Sequence, residues 1–304
     1  VLADMIRRGE IDREQVVVVT KAGYLQGENL ELSRQRKGEG APFPDLVVFD
    51  AELEHCIHPV FLAEQLTRSL QRMQLTHIDC LLLHNPEYYL KWANHNNIDP
   101  EVAQTEYLRR IETAFRYLES EVKSGRIGCY GISSNTFPKP ATDYERTDLS
   151  AILALAEEIS QQHHFRVIEF PCNLFEPGAM VEENQPMNQT LIEFALDNQV
   201  TTLINRPLNA IQADQLIRLA DNVYAGEAAR QVADFRRRLA GIDPAWSADT
   251  LSRLAIRALR STAGIGSVLV GMRRKEYVED VLQELREPCQ ISNRRQAWEM
   301  LAAM

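Results

Sequence analysis

Residues 77–87 read HIDCLLLHNPE. Ile78, Cys80, Leu81, Leu82 and Leu83 form a short, nearly all-apolar run, the pattern of a strand buried on both faces of a parallel sheet. It ends in His84-Asn85-Pro86-Glu87, where Pro86 stops further pairing. A titratable histidine at the C-terminal end of such a strand stands where α/β sheets and barrels place their chemistry. Taken alone, His84 is equally well read as a histidine satisfied in a turn.

Working outward, the same design recurs. Val16-Val17-Val18-Val19-Thr20-Lys21 is a buried strand ending in a lysine. The run 127–132 ends in Ser133-Ser134-Asn135, 167–170 in Pro171-Cys172-Asn173, 201–204 in Asn205-Arg206-Pro207, and 267–270 in Gly271-Met272-Arg273-Arg274. Helical spacing is predicted over 58–75, 101–124, 149–162, 188–198, 249–262, 275–286 and 291–302. Residues 1–12 read as a helix tail. Polar segments at 25–57, 88–100 and 209–245 read as excursions or loops, the last with one or two helices. Strand–helix alternation six times over implies a parallel sheet with covering helices. No GxGxxG or GxxxxGK[ST] follows the first strand, which removes the main support for the common phosphate-loop folds. Polar ends on every strand favour a barrel over an open sheet.

Composition bounds the function. With 304 residues, 45% of them hydrophobic, the chain suffices for one large domain or two small ones. A net charge of −10 argues against a nucleic-acid surface, yet leaves room for a local basic pocket. No run approaches the ~18 apolar residues of a membrane span, and VLADMIRRGE has no secretory pattern. Five widely spaced cysteines without a CxxC read as reduced thiols, so a cytoplasmic location is expected. His55 and His58 flank Cys56 at a spacing that suits a metal. No further ligand cluster follows, so a surface turn is expected there and no metal site.

Taken in order, VVVVTKAGY, LQRMQLTHIDCLLLHNPE, VKSGRIGCYGISSNT, NRPLN and SVLVGMRR resemble the aldo-keto reductases over nearly the whole chain. Any one piece is weak; the combination in register is specific. The resemblance implies a single (β/α)8 TIM barrel domain across 1–304, using NADPH, with NADH as the alternative, to reduce an aldehyde or ketone or to oxidise the alcohol. In that family a tyrosine protonates the carbonyl oxygen, a lysine lowers the tyrosine's pKa, an aspartate pairs with the lysine and a histidine orients the carbonyl. Matched by motif, the lysine is Lys21 and the histidine is His84. Ser133, Ser134 and Asn135 match the segment that holds the nicotinamide carboxamide, and Glu169 stands where the family usually has a glutamine. Asn205 and Arg206 match the loop under the nicotinamide and pyrophosphate, without the aromatic ring often found there. Arg273 and Arg274 match the cations for the 2′-phosphate. Tyr88 and Trp92 are expected to line the substrate pocket.

The family's DTA segment and following tyrosine, on and after its second strand, have no counterpart, and six barrel strands can be counted. The expectation is therefore an N-terminally truncated barrel that starts within the helix before the third strand and has no general acid. Tyr24, three residues past Lys21, is a packing residue on this reading. Two functions stay open: an NADP-dependent carbonyl oxidoreductase, and a catalytically inactive NADP(H)-binding barrel that serves as sensor or scaffold. The expected partner is a small carbonyl or alcohol, with neither nucleic acid nor membrane involved; monomer and homo-oligomer remain open.

Overall fold

Six parallel strands carry the alternation, and they follow one another in the sheet in chain order. They are β1 (Val19–Ala22), β2 (Ile78–His84), β3 (Ile127–Ser133), β4 (Phe165–Pro171), β5 (Thr201–Asn205) and β6 (Ser267–Val268). The computed structural model describes residues 1–212, 215–219 and 226–304. Residues 213–214 and 220–225, inside the predicted 209–245 excursion, lie outside the described residues. The chain divides into two compact units, one of residues 1–136 and 142–168, the other of 137–141 and 169–304, with β4 passing from the first to the second. This α/β alternation on a parallel six-stranded sheet is what the (β/α)8 expectation requires of these strands.

In the first unit, β2 lies between β1 and β3. Lys21 pairs with Leu82 and Leu82 with Gly131, while His84 pairs with Ser133. The predicted apolar run is buried as expected, with Ile78, Leu81, Leu82 and Leu83 all at 1% exposure or less. The helix before it, Pro59–Met73, has the His58 side chain as N-cap and Pro59 at its first position, and ends at Gln74 in the left-handed conformation. Its Phe61, Leu62 and Leu66 are wholly buried, each contributing about 1.5–3 kcal/mol of burial free energy. The helix Pro100–Lys123 is capped by Asp99 and followed by Gly125 at φ 74°. It brings Phe115 to 4.8 Å from Tyr130 of β3 and 5.3 Å from Phe165 of β4.

Several segments differ from their sequence reading. The 25–57 excursion holds a helix, Glu28–Gly38, and a three-stranded antiparallel ribbon in which Glu54–His55 lies between Tyr24–Leu25 and Val47–Val48. Residues 88–95 are a helix rather than a loop, with Tyr89, Leu90 and Ala93 turned inward. Its eight residues are too short and too polar for the periodicity to show. His55 does not sit in a surface turn: at 2% exposure it is enclosed between its two ribbon neighbours.

In the second unit, β6 pairs with β5 through Ser267–Leu203 and Val268–Ile204. The helix Leu251–Arg260 is capped by the Thr250 side chain and buries Leu254, Ala255, Ala258 and Leu259. Trp246 packs edge-on against Trp298 at 4.9 Å. Within 209–245 the described residues form an antiparallel pair, Asn209–Gln212 with Gln215–Arg218, and the helix Glu227–Ile242. In the first unit, the run 16–21, expected as a buried strand, starts its strand only at Val19 and is not buried throughout: Val18 is buried, whereas Val17 and Val19 are exposed at 76% and 38%.

At Gly131 the strands approach so closely that a Cβ would lie 1.8 Å from the Val167 carbonyl oxygen. Gly131→Ala is expected to destabilise the protein by about 3 kcal/mol or more, since the contact is backbone that cannot move aside. Urea unfolding of the two proteins measures this. A change below about 1 kcal/mol, within the range of an ordinary surface substitution, would mean that the two strands can separate freely.

Candidate functional site

The polar ends of β1, β2 and β3 meet in the first unit. Lys21 and Ser133 stand on strands either side of β2, and Lys21 Nζ donates to Ser133 Oγ at 3.2 Å. The register explains the reach. Lys21 is level with Leu82 and Gly131, and Ser133 is two residues beyond Gly131, hence on the same face of its strand. The ammonium therefore passes over the end of β2, the strand that carries His84. Ser133 is buried at 1% exposure, so this contact lies away from bulk water.

Around His84 the structure assembles residues that the sequence reading left outside the site. The Tyr24 ring meets the His84 ring edge-on at 4.6 Å, and the Tyr88 ring at 5.1 Å. Asn85 Nδ2 donates to the Tyr24 hydroxyl at 2.6 Å, and the Asn85 main-chain N–H donates to the Ser133 carbonyl at 2.7 Å. Asn85 holds φ 49°, the left-handed turn by which the chain leaves the sheet. Burial pushes the Tyr24 phenol well above the ordinary tyrosine value. The imidazole of His55 hydrogen-bonds the His84 carbonyl oxygen at 2.7 Å through Nε2. Burial pushes it down to about 4, so it is neutral at pH 7.

Beyond Pro86, Glu87 is wholly buried, and its Oε1 accepts the Asn135 main-chain N–H at 3.0 Å. Desolvation pushes its carboxyl up to about 7. The carboxyl ties the end of β2 to the turn after β3 and leaves the Asn135 side chain exposed. Ser134 faces inward: its hydroxyl lies 2.9 Å from Thr147 Oγ1 and 3.1 Å from Thr136 Oγ1, and Thr147 is 3.0 Å from the Tyr107 hydroxyl. This interior network shapes the turn that carries Ser133 and Asn135.

Of the two expected pocket residues, Tyr88 belongs to the aromatic group around His84. It also packs against Phe49 at 4.9 Å and carries the Lys91 ammonium 4.8 Å over its ring. Trp92 lines an open cleft of about 670 Å³ with Phe49, Lys91, Asn94, His95 and Glu145. Phe49 is common to both.

The second unit holds the remaining predicted residues. Glu169 is buried near the end of β4 and accepts from Asn205 Nδ2 at 2.8 Å. Arg206 follows at φ 52°, paired with Glu176 at 2.8 Å, and Asn173 Nδ2 donates to its carbonyl at 3.2 Å. Asn205 Oδ1 and Arg206 Nε are buried without a hydrogen-bond partner among the described residues, an arrangement that suits a polar ligand. Arg273 and Arg274 are exposed, and Arg274 N-caps the helix Lys275–Arg286 with its guanidinium 5.9 Å from the Tyr277 ring. Asp280, in the middle of that helix, accepts from Ser252 Oγ at 2.5 Å and from Arg253 Nε at 2.8 Å. Among the described residues no group of three His, Cys, Asp or Glu side chains converges as a metal site, and no helix is long and apolar enough to cross a membrane.

Tyr24, His55, Asn85 and Glu87 are the residues that sequence reasoning missed. Asn85 left a local trace, an asparagine at the end of an apolar run and before a proline. Glu87 stood in the same polar cluster, while Tyr24 was read as packing and His55 as part of a surface turn: burial and the ribbon that returns His55 to the strand end appear only when the chain is folded.

Comparison with known proteins gives one consistent result. The sequence pattern of the aldo/keto reductase family matches residues 1–293. A thermostable aldo-keto reductase in complex with the inhibitor epalrestat matches at 14% identity and a TM-score of 0.54, over 99% of this chain and 75% of that one. The holo form of an aldo-keto reductase from Bacillus halodurans matches at 14% identity and a TM-score of 0.54, over 97% of this chain and 76% of that one. No curated protein matches the chain.

The Glu87 carboxyl gives a pH signature. Its proton is held more tightly in the folded than in the unfolded state, so the native protein binds more protons between the ordinary value of 4.5 and about 7. Its contribution to stability is full below about pH 4.5 and falls by about 3 kcal/mol as the pH rises to 7. His55 acts oppositely, with stability gained as the pH rises from about 4 to 6.5. The Glu87 effect is therefore read as the difference between the parent and Glu87→Gln. That difference should move against the parent as pH rises across this window; a constant difference from pH 4.5 to 7.5 would show that the carboxyl titrates alike in the folded and unfolded states.

Proposed function

We propose, from the premise that this chain belongs to the aldo/keto reductase family, that it is an NAD(P)H-dependent oxidoreductase that reduces an aldehyde or ketone, or oxidises the corresponding alcohol. The observation that carries this reading is the Lys21–Ser133 contact of 3.2 Å, made over the end of the strand that bears His84. It puts a cation, a hydroxyl and an imidazole at neighbouring strand ends, the set that a polarised carbonyl and a carboxamide call for.

The reduced nicotinamide, when bound, supplies the hydride. In this reading Ser133 and Asn135 hold the carboxamide, with the turn that carries them set by the Ser134 network and by the Glu87–Asn135 bond. In the second unit Asn205 Oδ1, buried without a partner among the described residues, is available to a polar ligand. Arg273 and Arg274 attract its phosphate, which favours NADPH over NADH. His84 donates toward the substrate oxygen, while Tyr88 and Trp92 offer apolar surface to the remainder of the substrate. A lysine cation beside the reacting oxygen stabilises negative charge there at little reorganisation cost.

A second reading, an inactive NADP(H)-binding barrel that acts as sensor or scaffold, is supported by the state of Tyr24. This phenol adjoins His84, yet burial raises its pKa and its hydroxyl already accepts from Asn85. Such a phenol is a poor proton donor at neutral pH.

The test is titration with NADPH, followed by quenching of protein fluorescence, on the parent and on an Arg273→Ala/Arg274→Ala variant. Saturable binding is expected, with the variant weakened about tenfold or more through loss of charge-assisted contacts. Absence of binding at millimolar NADPH would sink both readings. Turnover of NADPH with a panel of aldehydes and ketones separates them, since the sensor reading requires binding without turnover.

A further inference from the structure

We propose that His55 is a positioning residue for His84: from the middle strand of the ribbon, its Nε2–H holds the His84 main-chain carbonyl and so sets the direction in which the His84 imidazole leaves β2. The inference rests on reading His84 as the group that orients the substrate oxygen.

The register shows why this carbonyl needs a partner. The ladder between β1 and β2 ends at Ala22–Leu83, so His84 lies one residue beyond the last rung. Gly23 turns the chain into the ribbon at that point, and its own carbonyl accepts the Cys56 N–H at 2.9 Å. His55 takes the place of the missing strand donor, its Nε2 lying 2.7 Å from the His84 oxygen. A carbonyl oxygen only accepts, so Nε2 carries the hydrogen. The bond is enclosed. A Cβ on Gly23 would lie 2.4 Å from the His84 oxygen and 2.8 Å from His55 Nε2, so the Gly23 backbone covers it. Tyr88 stacks on the His55 ring at 5.6 Å with 15° between the planes, and Tyr24 meets both imidazoles edge-on, His55 at 5.7 Å and His84 at 4.6 Å. One buried imidazole thereby holds the main chain of His84, while the tyrosine beside it confines the side chain.

Two variants separate the hydrogen bond from the packing: His55→Phe keeps a ring without a donor, and His55→Gln keeps an N–H donor without a ring. Nitrogen-15 NMR of the histidines, with the His84 signals identified by His84→Gln, reads the position directly. His55→Phe is expected to shift the His84 ring resonances and their titration midpoint, and His55→Gln to restore them toward the parent. With NADPH and 4-nitrobenzaldehyde, His55→Phe is expected to lower kcat on the order of 10- to 100-fold while NADPH affinity by fluorescence is unchanged. His55→Gln is expected to recover most of that loss. Unaltered His84 resonances in His55→Phe, or equal displacement of them in both variants, would overturn the proposal. If the parent turns over no aldehyde or ketone of the panel, the reductase reading fails, and the His84 resonances still decide whether His55 positions that residue. Should His55→Phe fail to fold, a parent-like His84 signal in His55→Gln supports the proposal and a displaced one overturns it.

Discussion

The parallel register of β1, β2 and β3 is the constraint on which the rest depends. With Lys21 level with Leu82 and Gly131, and His84 level with Ser133, the lysine and the serine are brought over the strand that separates them. A slip of one residue in either pairing would turn Lys21 or Ser133 to the opposite face, because side chains alternate along a strand. That register is held by Leu81, Leu82 and Leu83 packed on both faces of β2 and by the close approach at Gly131, which admits no side chain. Packing in the middle of the strands thus determines chemistry at their ends.

Polar groups at those ends are joined to one another before any ligand enters. Asn85 binds the Ser133 carbonyl, Glu87 binds the Asn135 amide, and Ser134 is tied to Thr136 and Thr147. Buried groups of this kind must be satisfied, since each one left unpaired costs about 1–3 kcal/mol. The bonds that this network makes also restrict motion of the turns after β2 and β3. Preorganisation of this sort places donors where charge develops, and it is the usual means by which a scaffold supports carbonyl chemistry. Buried atoms without partners among the described residues remain in both units, Glu87 Oε2 in the first and Asn205 Oδ1 and Arg206 Nε in the second.

Much of this was legible in the residues themselves. The six strands lie within a few positions of their expected places because each is a short apolar run bounded by polar or turn-forming residues, a signal that survives without tertiary context. The helices Pro59–Met73 and Pro100–Lys123 announced themselves through apolar spacing and through caps written in the sequence, Pro59 and Asp99-Pro100. The helix Tyr88–His95 did not, since eight residues give two turns and too few apolar positions to define a period. The ribbon of Tyr24–Leu25, Val47–Val48 and Glu54–His55 was equally hidden, because strands of two residues carry no alternation to read.

The sequence by itself determined the strand–helix order, the family resemblance and the placing of Lys21, His84 and Ser133 at strand ends, because each depends on neighbours within a few positions along the chain. Only the tertiary structure decided that Lys21 reaches Ser133, that Tyr24 lies against the His84 ring, and that His55 is neutral, buried and bound to the His84 carbonyl. These contacts join residues 29 to 112 positions apart or depend on the solvent-excluded space that the ribbon encloses. Burial and desolvation are properties of that enclosure: an imidazole or a phenol in the unfolded chain carries its ordinary pKa, and acquires another only where folding removes the water around it.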